Sequence, residues 1–547
     1  MSKQFIPKDF QPELAEQVIL NDVPSSSEEV PLDILFVGGG PAGLAGAIEL
    51  TRLIKADGNM DSLEVGVLEK AATLGGHTLS GAVINPISLR ELFPDLKDED
   101  LPLRQAVTKD SVYFLTSSGR IPIPTPPTMH NKGNYVASLC EVVRWMGEKA
   151  EDLGVNILTS FPADSLLVEN GTVIGVRTTP AGLKRDGQPG DQHMGPTDIR
   201  ARITVLCEGT RGTLTQGFIK WQNLEPQNKQ IYALGVKEVW RTKKVPTSVI
   251  HTMGWPLPRD SFGGSFCYPM GDDLMALGLV VGLDYKQHNL DVHEMLQALK
   301  KHPLFAQYLT GGEVVEWGAK TIPEGGYYSL PKRLHHDGLL IAGDSAGFVN
   351  VPALKGIHYA IKSGILAART IFEGLKNNDL TKMTLSKYDQ AINKSYIHKD
   401  LYNTRHMRNV FKSGFFVGGT KAALLTLTGG NFPGYSKTVP PDNEEFKTVG
   451  SNPLVRVPEG SLSKVDAVYL SGNKTRDDIP QHLTVGKDIS ADVAEFYCHM
   501  CPAGVYERNG DQLIVNAPNC IDCKATDVLG PRWQPREGGS GPNYTLM

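Results

Sequence analysis

The chain lacks a long apolar run, a basic excess and a large cysteine complement, and each shortage excludes a class of protein. The longest uninterrupted apolar stretch, Leu274 to Leu283, is about half the ~20 residues that a spanning helix needs, so no membrane-crossing segment is expected. Lys and Arg total 55 against 60 Asp and Glu, a formal net charge of −5. That balance leaves no basic stripe for a nucleic acid. The first arginine is Arg52, and the opening stretch carries Asp9, Glu13, Glu16, Asp22, Glu28 and Glu29. A mitochondrial presequence is Arg-rich and acid-poor, so the expectation is a bacterial cytoplasmic chain or a mature form. Cysteines number seven, and four of them stand in paired CxxC spacing, which argues against a secreted disulfide framework and for a reducing compartment.

What is present begins with a nucleotide fingerprint. At 547 residues the length suggests two to four domains, with an ordinary soluble composition of 40% hydrophobic and 21% charged residues. Ile34-Leu35-Phe36-Val37 is wholly apolar, as expected of a strand buried on both faces of a parallel sheet. The glycines Gly38, Gly40 and Gly43 follow as G-x-G-x-x-G, and Leu44 to Leu53 continues as an apolar helix. This arrangement turns tightly, brings backbone against a pyrophosphate and aims a helix N-terminus at it. A second strand, Val65 to Leu68, ends in Glu69, placed to accept from ribose hydroxyls. Glu69 comes later than the usual ~20 residues after the fingerprint, and the polar insert Lys55 to Ser62 accounts for the excess. Taken alone, Glu69 also reads as a solvated strand end.

The cofactor is assigned from elsewhere in the chain. Leu339 to Ala342 reads as a further buried strand, running into Gly343-Asp344-Ser345-Ala346-Gly347. This resembles the late Gly-Asp motif of glutathione-reductase-type FAD proteins, which implies that Asp344 accepts from a ribityl hydroxyl. Thr204 to Gly209 is similar to the middle strand-and-glycine motif of the same group. No second GxGxxG follows a strand, so no dedicated nicotinamide domain is expected.

At the other end lie Cys498-His499-Met500-Cys501 and Cys520-Ile521-Asp522-Cys523. Two such pairs can wrap one metal centre, either zinc or an iron–sulfur cluster. Cys140, Cys207 and Cys267 lie in apolar contexts and read as buried structural thiols.

From about residue 30 onward the chain resembles the electron-transfer flavoprotein:quinone oxidoreductase family. The resemblance is carried by Leu74-Gly75-Gly76-His77-Thr78-Leu79-Ser80-Gly81-Ala82, Gly133-Asn134-Tyr135 and Gly263-Gly264-Ser265-Phe266. Further along it rests on Val280 to Tyr285, Asn350 to His358 (with Gly356), Cys501 to Glu507 and the tail Glu537 to Pro542. It implies a peripheral membrane flavoprotein with FAD and a 4Fe–4S cluster. Such a protein takes single electrons from reduced electron-transfer flavoprotein and delivers pairs to a membrane quinone, ubiquinone or menaquinone. A cluster handles one electron at a time, while flavin and quinone each store two. No acid–base or nucleophilic group is then required, and no catalytic residue is assigned.

The resemblance further implies FAD-binding roles for Gly38, Gly40, Gly43, Glu69, Gly76, Gly209, Gly343, Asp344, Gly347 and Gly356. It puts Gly263 and Gly264 at the quinone, where bare backbone admits a flat ring; read without it, the pair suggests a hairpin turn. Two apolar segments are candidates for contact with the bilayer surface. One is Val112 to Leu115 with Ile121 to Pro124; the other is Phe415 to Leu425, flanked by Lys412 and Lys421. Ordinary core packing is the competing reading of both. The location implied is the cytoplasmic face of a bacterial inner membrane, or the matrix side of the mitochondrial inner membrane for a mature eukaryotic chain.

One position departs from the family pattern, in which the cluster is held by one cysteine of the CPAGVYE stretch and three of a later CxxCxxC. Cys501, Cys520 and Cys523 are present, but the fourth position is Thr526. Threonine is a poor cluster ligand, because these irons want thiolate. Cys498, three residues before Cys501, is expected to replace it, giving a ligand set of Cys498, Cys501, Cys520 and Cys523. The alternatives are zinc on the same four residues, and a three-cysteine centre, with an open iron or as 3Fe–4S, or no cluster at all.

The expected architecture is α/β. A glutathione-reductase-type FAD domain is assembled from residues 30–105, 140–220 and 321–400. A mostly β quinone-binding, membrane-contacting domain (106–139 and 221–320) is inserted into it, and a small ferredoxin-like domain (440–547) follows a linker at 429–442. Pro180 to Gly195 is expected to be an exposed hairpin. Two other functions fit the scaffold: a FAD-dependent isoprenoid reductase or hydroxylase, and a flavoprotein whose zinc-ribbon tail only docks partners. The cysteine-bearing tail argues against the first, and a paramagnetic signal from it would exclude the second.

Overall fold

The computed structural model describes the whole chain except residues 1–2, 22–27, 61, 82, 272, 412–414, 432–437, 451 and 511. Lys412 and the central part of the expected linker thus lie outside the described residues, as do the side chains of Phe415 and Phe416.

Two sheets organise the molecule. The first has nine strands, and its centre is parallel. Glu28–Val37 lies between Val65–Glu69 and Thr197–Leu206, and Leu339–Ile341 pairs with the far side of Thr197–Leu206. Ile34, Leu35 and Phe36 are fully buried, because helices cover both faces of a parallel sheet. The helix Pro41–Asp57 packs against Ile357–Lys376 so closely that a Cβ on Gly364 would stand 2.2 Å from the Ala42 carbonyl oxygen. Part of the polar insert before Glu69 extends this helix, which stops only at Gly58 in the left-handed conformation (φ 69°).

The second sheet has seven strands. Its order is Glu313–Pro323, Tyr232–Arg241, Leu274–Gly282, Gly263–Gly271, Val249–Gly254, Asp110–Leu115 and Arg120–Ile123. The apolar run at Leu274 is therefore an interior strand, and its burial on both faces explains its composition. Among the described residues no helix is long and apolar enough to cross a membrane. Ala181–Leu183 and Pro189–Met194 form the expected hairpin, with Met194 exposed.

The tail packs on the outer side of the seven-stranded sheet and shares its core. Phe496, Tyr497 and Ile521 belong to one apolar cluster with Val236, Leu279 and Trp317. The last residues return to the centre: Tyr544 N–H donates to Gly76 O (2.9 Å), and Cys140 N–H donates to Met547 O (3.1 Å).

Candidate functional site: a long cavity joined to a cysteine cage

Between the two sheets runs a cavity of about 1820 Å³, well above the ~300–1,000 Å³ that one small ligand takes, so it has room for two. One end is walled by Gly38, Gly40, Glu69, Gly209, Gly343, Asp344 and Gly356, and the other by Gly263 and Gly264. Nine of the expected cofactor and quinone residues thus meet in one space. Gly43, Gly76 and Gly347 do not line it. Gly43 lies beneath the turn, where a Cβ would stand 2.1 Å from Gly38 O. Gly76 anchors the C-terminal tail, and Gly347 ends a short turn with φ 85°.

The nucleotide end has the form of a cradle. Gly38 takes φ +114°, and a Cβ there would meet Cys207 O at 2.2 Å. Gly40 caps the helix Pro41–Asp57 and has nothing within 4 Å of its missing Cβ, so the helix N-terminus opens on free space. That is what a pyrophosphate needs. Glu69 is pre-oriented by Gly39 N–H (2.9 Å) and Ala71 N–H (2.8 Å), which both donate to its carboxylate. Burial pushes the Asp344 carboxyl up to about 6. His77 lines the cavity with neither ring nitrogen hydrogen-bonded, and burial together with Lys70 holds it well below its ordinary range, hence neutral. These features fit a flavin dinucleotide.

Three lysines at this cavity, Lys237 buried and Lys320 and Lys355 half-buried, escaped the sequence reading. Lys237 donates to Ser80 O (3.1 Å), Lys320 to Asp522 O (3.1 Å) and Lys355 to Asn131 Oδ1 (2.6 Å). Burial lowers each of the three to about 8, so all remain largely cationic at neutral pH and favour an anionic occupant. No motif marks them, because a lone lysine in sequence reads as surface.

At the far end the glycine pair is not a turn. Gly263 and Gly264 open the strand Gly263–Gly271 and pair with Val281 and Val280. A Cβ on Gly263 would stand 2.2 Å from Val280 O, and one on Gly264 2.2 Å from Thr252 O. Their missing side chains therefore face neighbouring strands, and close strand approach is what demands glycine here. The cavity is also lined by Ile123, Pro124, Ala422 and Ala423, from the two segments marked as apolar. Ile121 and Val417 are 57% and 53% exposed on those segments. Arg408 closes the floor, paired with Asp284 (3.0 Å) and Glu324 (3.1 Å) and lying over the Phe262 ring (4.0 Å).

A single strand separates this cavity from the cysteines. Thr321, which lines the cavity, donates its N–H to Cys523 O (2.9 Å), and its own carbonyl accepts from Thr210 Oγ1 (3.0 Å). Burial alone would raise the Asp522 carboxyl, but Arg536 and Lys70 hold it well below the usual range. Lys70 Nζ approaches to 2.7 Å, Arg536 to 3.0 Å and Trp533 Nε1 to 2.9 Å, so Asp522 fixes the loop between Cys520 and Cys523.

The cysteine cage differs from expectation at one corner. Cys501, Cys520 and Cys523 line a small cavity with Tyr506 and Thr526, and Cys498 does not reach it. Cys498 sits in the last turn of the helix Ala491–Met500, whereas Cys501 has left the helix with φ −80° and ψ 118°. The same-face relation of residues three apart lapses at that point. Cys498 instead lies outside the small cavity, with Lys464, Cys501, Arg508 and Glu495 acting on it. The spacing also bears on zinc, which at a Zn–S distance of about 2.3 Å holds its thiolates about 4 Å apart. Among the described residues no three cysteine sulfurs lie within 4.8 Å of one another; Cys520 groups only with His482 and Asp522.

A doubly sheeted scaffold with a dinucleotide cradle and a cysteine cage one strand away defines a flavin-dependent oxidoreductase with an iron–sulfur domain. Comparison with known proteins agrees. Residues 232–322 match the family model described as ETF-QO, ubiquinone-binding, and residues 460–545 the model described as electron transfer flavoprotein-ubiquinone oxidoreductase, 4Fe-4S. The mitochondrial electron transfer flavoprotein-ubiquinone oxidoreductase of Oryza sativa subsp. japonica is 40% identical, with 95% of this chain and 94% of that protein aligned. The protein of the same name from Bos taurus is 39% identical over 94% of this chain and 89% of its own. The chain belongs to the electron-transfer flavoprotein:ubiquinone oxidoreductase family, and its C-terminal region matches that family's 4Fe–4S domain. Among solved structures, a geranylgeranyl bacteriochlorophyll reductase-like protein from Thermoplasma acidophilum superposes with a TM-score of 0.57 at 19% identity, covering 74% of this chain and 92% of that one. That likeness concerns the fold alone.

Proposed function

We infer that the chain accepts electrons from reduced electron-transfer flavoprotein and passes them through the 4Fe–4S cluster and FAD to a membrane quinone, ubiquinone or menaquinone. The observation that carries this reading is the continuity of the two sites. The cysteine cage is hydrogen-bonded through Thr321 to a cavity large enough for a flavin and a second ring system. When bound, the cluster supplies one-electron steps and the flavin couples them to the two-electron reduction of the quinone.

The chain's own residues then position and insulate. Gly38 and Gly40 admit the pyrophosphate to the helix N-terminus, Glu69 accepts from ribose hydroxyls and Asp344 from the ribityl chain. Lys237, Lys320 and Lys355 favour the negative charge of the dinucleotide and of a reduced ring. Asp522, tied to Lys70 and Arg536, keeps the cysteine loop rigid and excludes water from it. The quinone would enter between Ile123 and Ala422 and lie against the backbone of Gly263 and Gly264. The exposed Ile121 and Val417 of the two apolar segments support a monotopic seat on the bilayer, at the cytoplasmic face of a bacterial inner membrane or the matrix face of a mitochondrial one. Segments 30–105, 140–220 and 321–400 serve FAD, 106–139 and 221–320 serve quinone and membrane, and 440–547 carries the cluster.

The test is anaerobic rapid mixing of the holoprotein with reduced electron-transfer flavoprotein and a short-chain quinone. Reoxidation of the flavoprotein with matching quinol formation is expected. Failure to oxidise the flavoprotein, with both cofactors in place, would sink the reading.

A further inference from the structure

We propose that the cluster of this chain is held by three thiolates, Cys501, Cys520 and Cys523, and turns its fourth iron toward the Thr526 hydroxyl, so that this one iron is exchangeable. The inference rests on the cluster reading above and concerns the corner at which this chain departs from its family's pattern. Thr526 takes its place in the wall of the cage beside the three cysteines and is buried. Its Oγ1 donates to Pro531 O (3.3 Å) and lies 2.6 Å from the Tyr506 hydroxyl, which is then the donor of that bond. A hydroxyl has one donor and two acceptor sites, so a single lone pair is left for the cage. A neutral oxygen held in this way is a weak partner for iron, which prefers thiolate.

The thiol that would compensate is misplaced. Cys498 belongs to the preceding helical turn and is absent from the wall; it packs against the outside of the apolar cluster that holds the three cage cysteines, with Lys464, Cys501, Arg508 and Glu495 as its charged or ionisable neighbours. Lys464 also bonds the carbonyls of both Cys498 and Cys501, at 2.7 and 2.8 Å, and pairs with Asp291 at 2.6 Å. This clamp fixes the backbone across the helix end, so Cys498 can enter the cage only by side-chain rotation.

The chemistry that follows balances simply. Oxidation of the [4Fe–4S]²⁺ form releases one Fe²⁺ and one electron and leaves [3Fe–4S]⁺; added ferricyanide takes the electron. The experiment uses anaerobically purified full-length holoprotein, wild type, Cys498→Ser and Thr526→Cys, each treated with stoichiometric ferricyanide. Iron and acid-labile sulfide are assayed, and low-temperature electron paramagnetic resonance is recorded before and after.

Wild type and Cys498→Ser should each fall from about four irons to about three, with sulfide unchanged and a three-iron signal appearing. Ferrous iron plus reductant should restore the fourth iron. Thr526→Cys should keep all its iron and show no such signal. A Cys498→Ser protein that purifies without a cluster would overturn the proposal, as would a wild type that keeps its iron under ferricyanide. If Thr526→Cys fails to fold, the wild type and Cys498→Ser still decide. Zinc in place of iron in all three proteins would instead defeat the cluster reading itself.

Discussion

The two ends of the electron path are built in opposite ways. At the nucleotide end, recognition is mostly backbone: Gly38, Gly40 and the helix N-cap lie within a few residues of each other, and their geometry is set by one strand–turn–helix unit. At the cluster and quinone end, it comes from side chains and strands far apart in the chain, such as Cys501 with Cys523, or Arg408 with Asp284. The turn at Gly38 tolerates no added atom, because a Cβ there would meet Cys207 O at 2.2 Å. A side-chain cage can lose a corner, as at Thr526, and still be walled by its neighbours.

The strongest way to break the comparison is at Gly43. Gly43→Val puts a branched side chain where a Cβ already meets Gly38 O at 2.1 Å. The expected outcome is purification without flavin and a loss of roughly 3 kcal/mol or more of stability, read from the flavin absorbance ratio and a thermal melt. Among the side-chain contacts, Arg408→Leu removes the cation from the buried Glu324 and the half-buried Asp284. Such a loss costs about 3–5 kcal/mol, and denaturant unfolding should show it while flavin content is retained.

A smaller effect sharpens the electrostatic contrast. Burial raises the Asp344 carboxyl to about 6 from 3.8, so the apo protein loses stability as pH rises through that window. Asp344→Asn should therefore stabilise the flavin-free protein at pH 7 by on the order of 1–3 kcal/mol and have little effect near pH 3.8, as thermal melts across pH would report. An Asn that gives the same gain at both ends of the range would dispose of this account. The mildest change is Ile121→Glu, at a residue 57% exposed. Stability should shift by no more than about 0.5 kcal/mol, while co-sedimentation with anionic liposomes falls.

The nucleotide half was legible because its signals are local. The strand at Ile34, the glycines after it, Glu69 at the end of the next strand and Asp344 after the late strand all appear where their motifs stand in sequence. The second half was legible only in outline. Gly263 and Gly264 could be seen, but not that their missing side chains face Val280 and Thr252. Lys237, Lys320 and Lys355 carry no pattern, and only folding brings them to the cavity. Cys498 lies outside the small cavity for a related reason. Spacing of three residues brings two thiols together within a helix, and the helix ends between these two.

The sequence by itself determined the dinucleotide turn, the late Gly-Asp strand and three of the cage's cysteines, because each depends on neighbours a few residues away. Tertiary structure alone decided which groups share a space. It set Thr321 between cavity and cage, brought the lysines to the cavity, and placed Thr526 and not Cys498 among the residues lining the small cavity beside the three cysteines. Those outcomes rest on contacts between segments hundreds of residues apart, and on side-chain directions that no local spacing encodes.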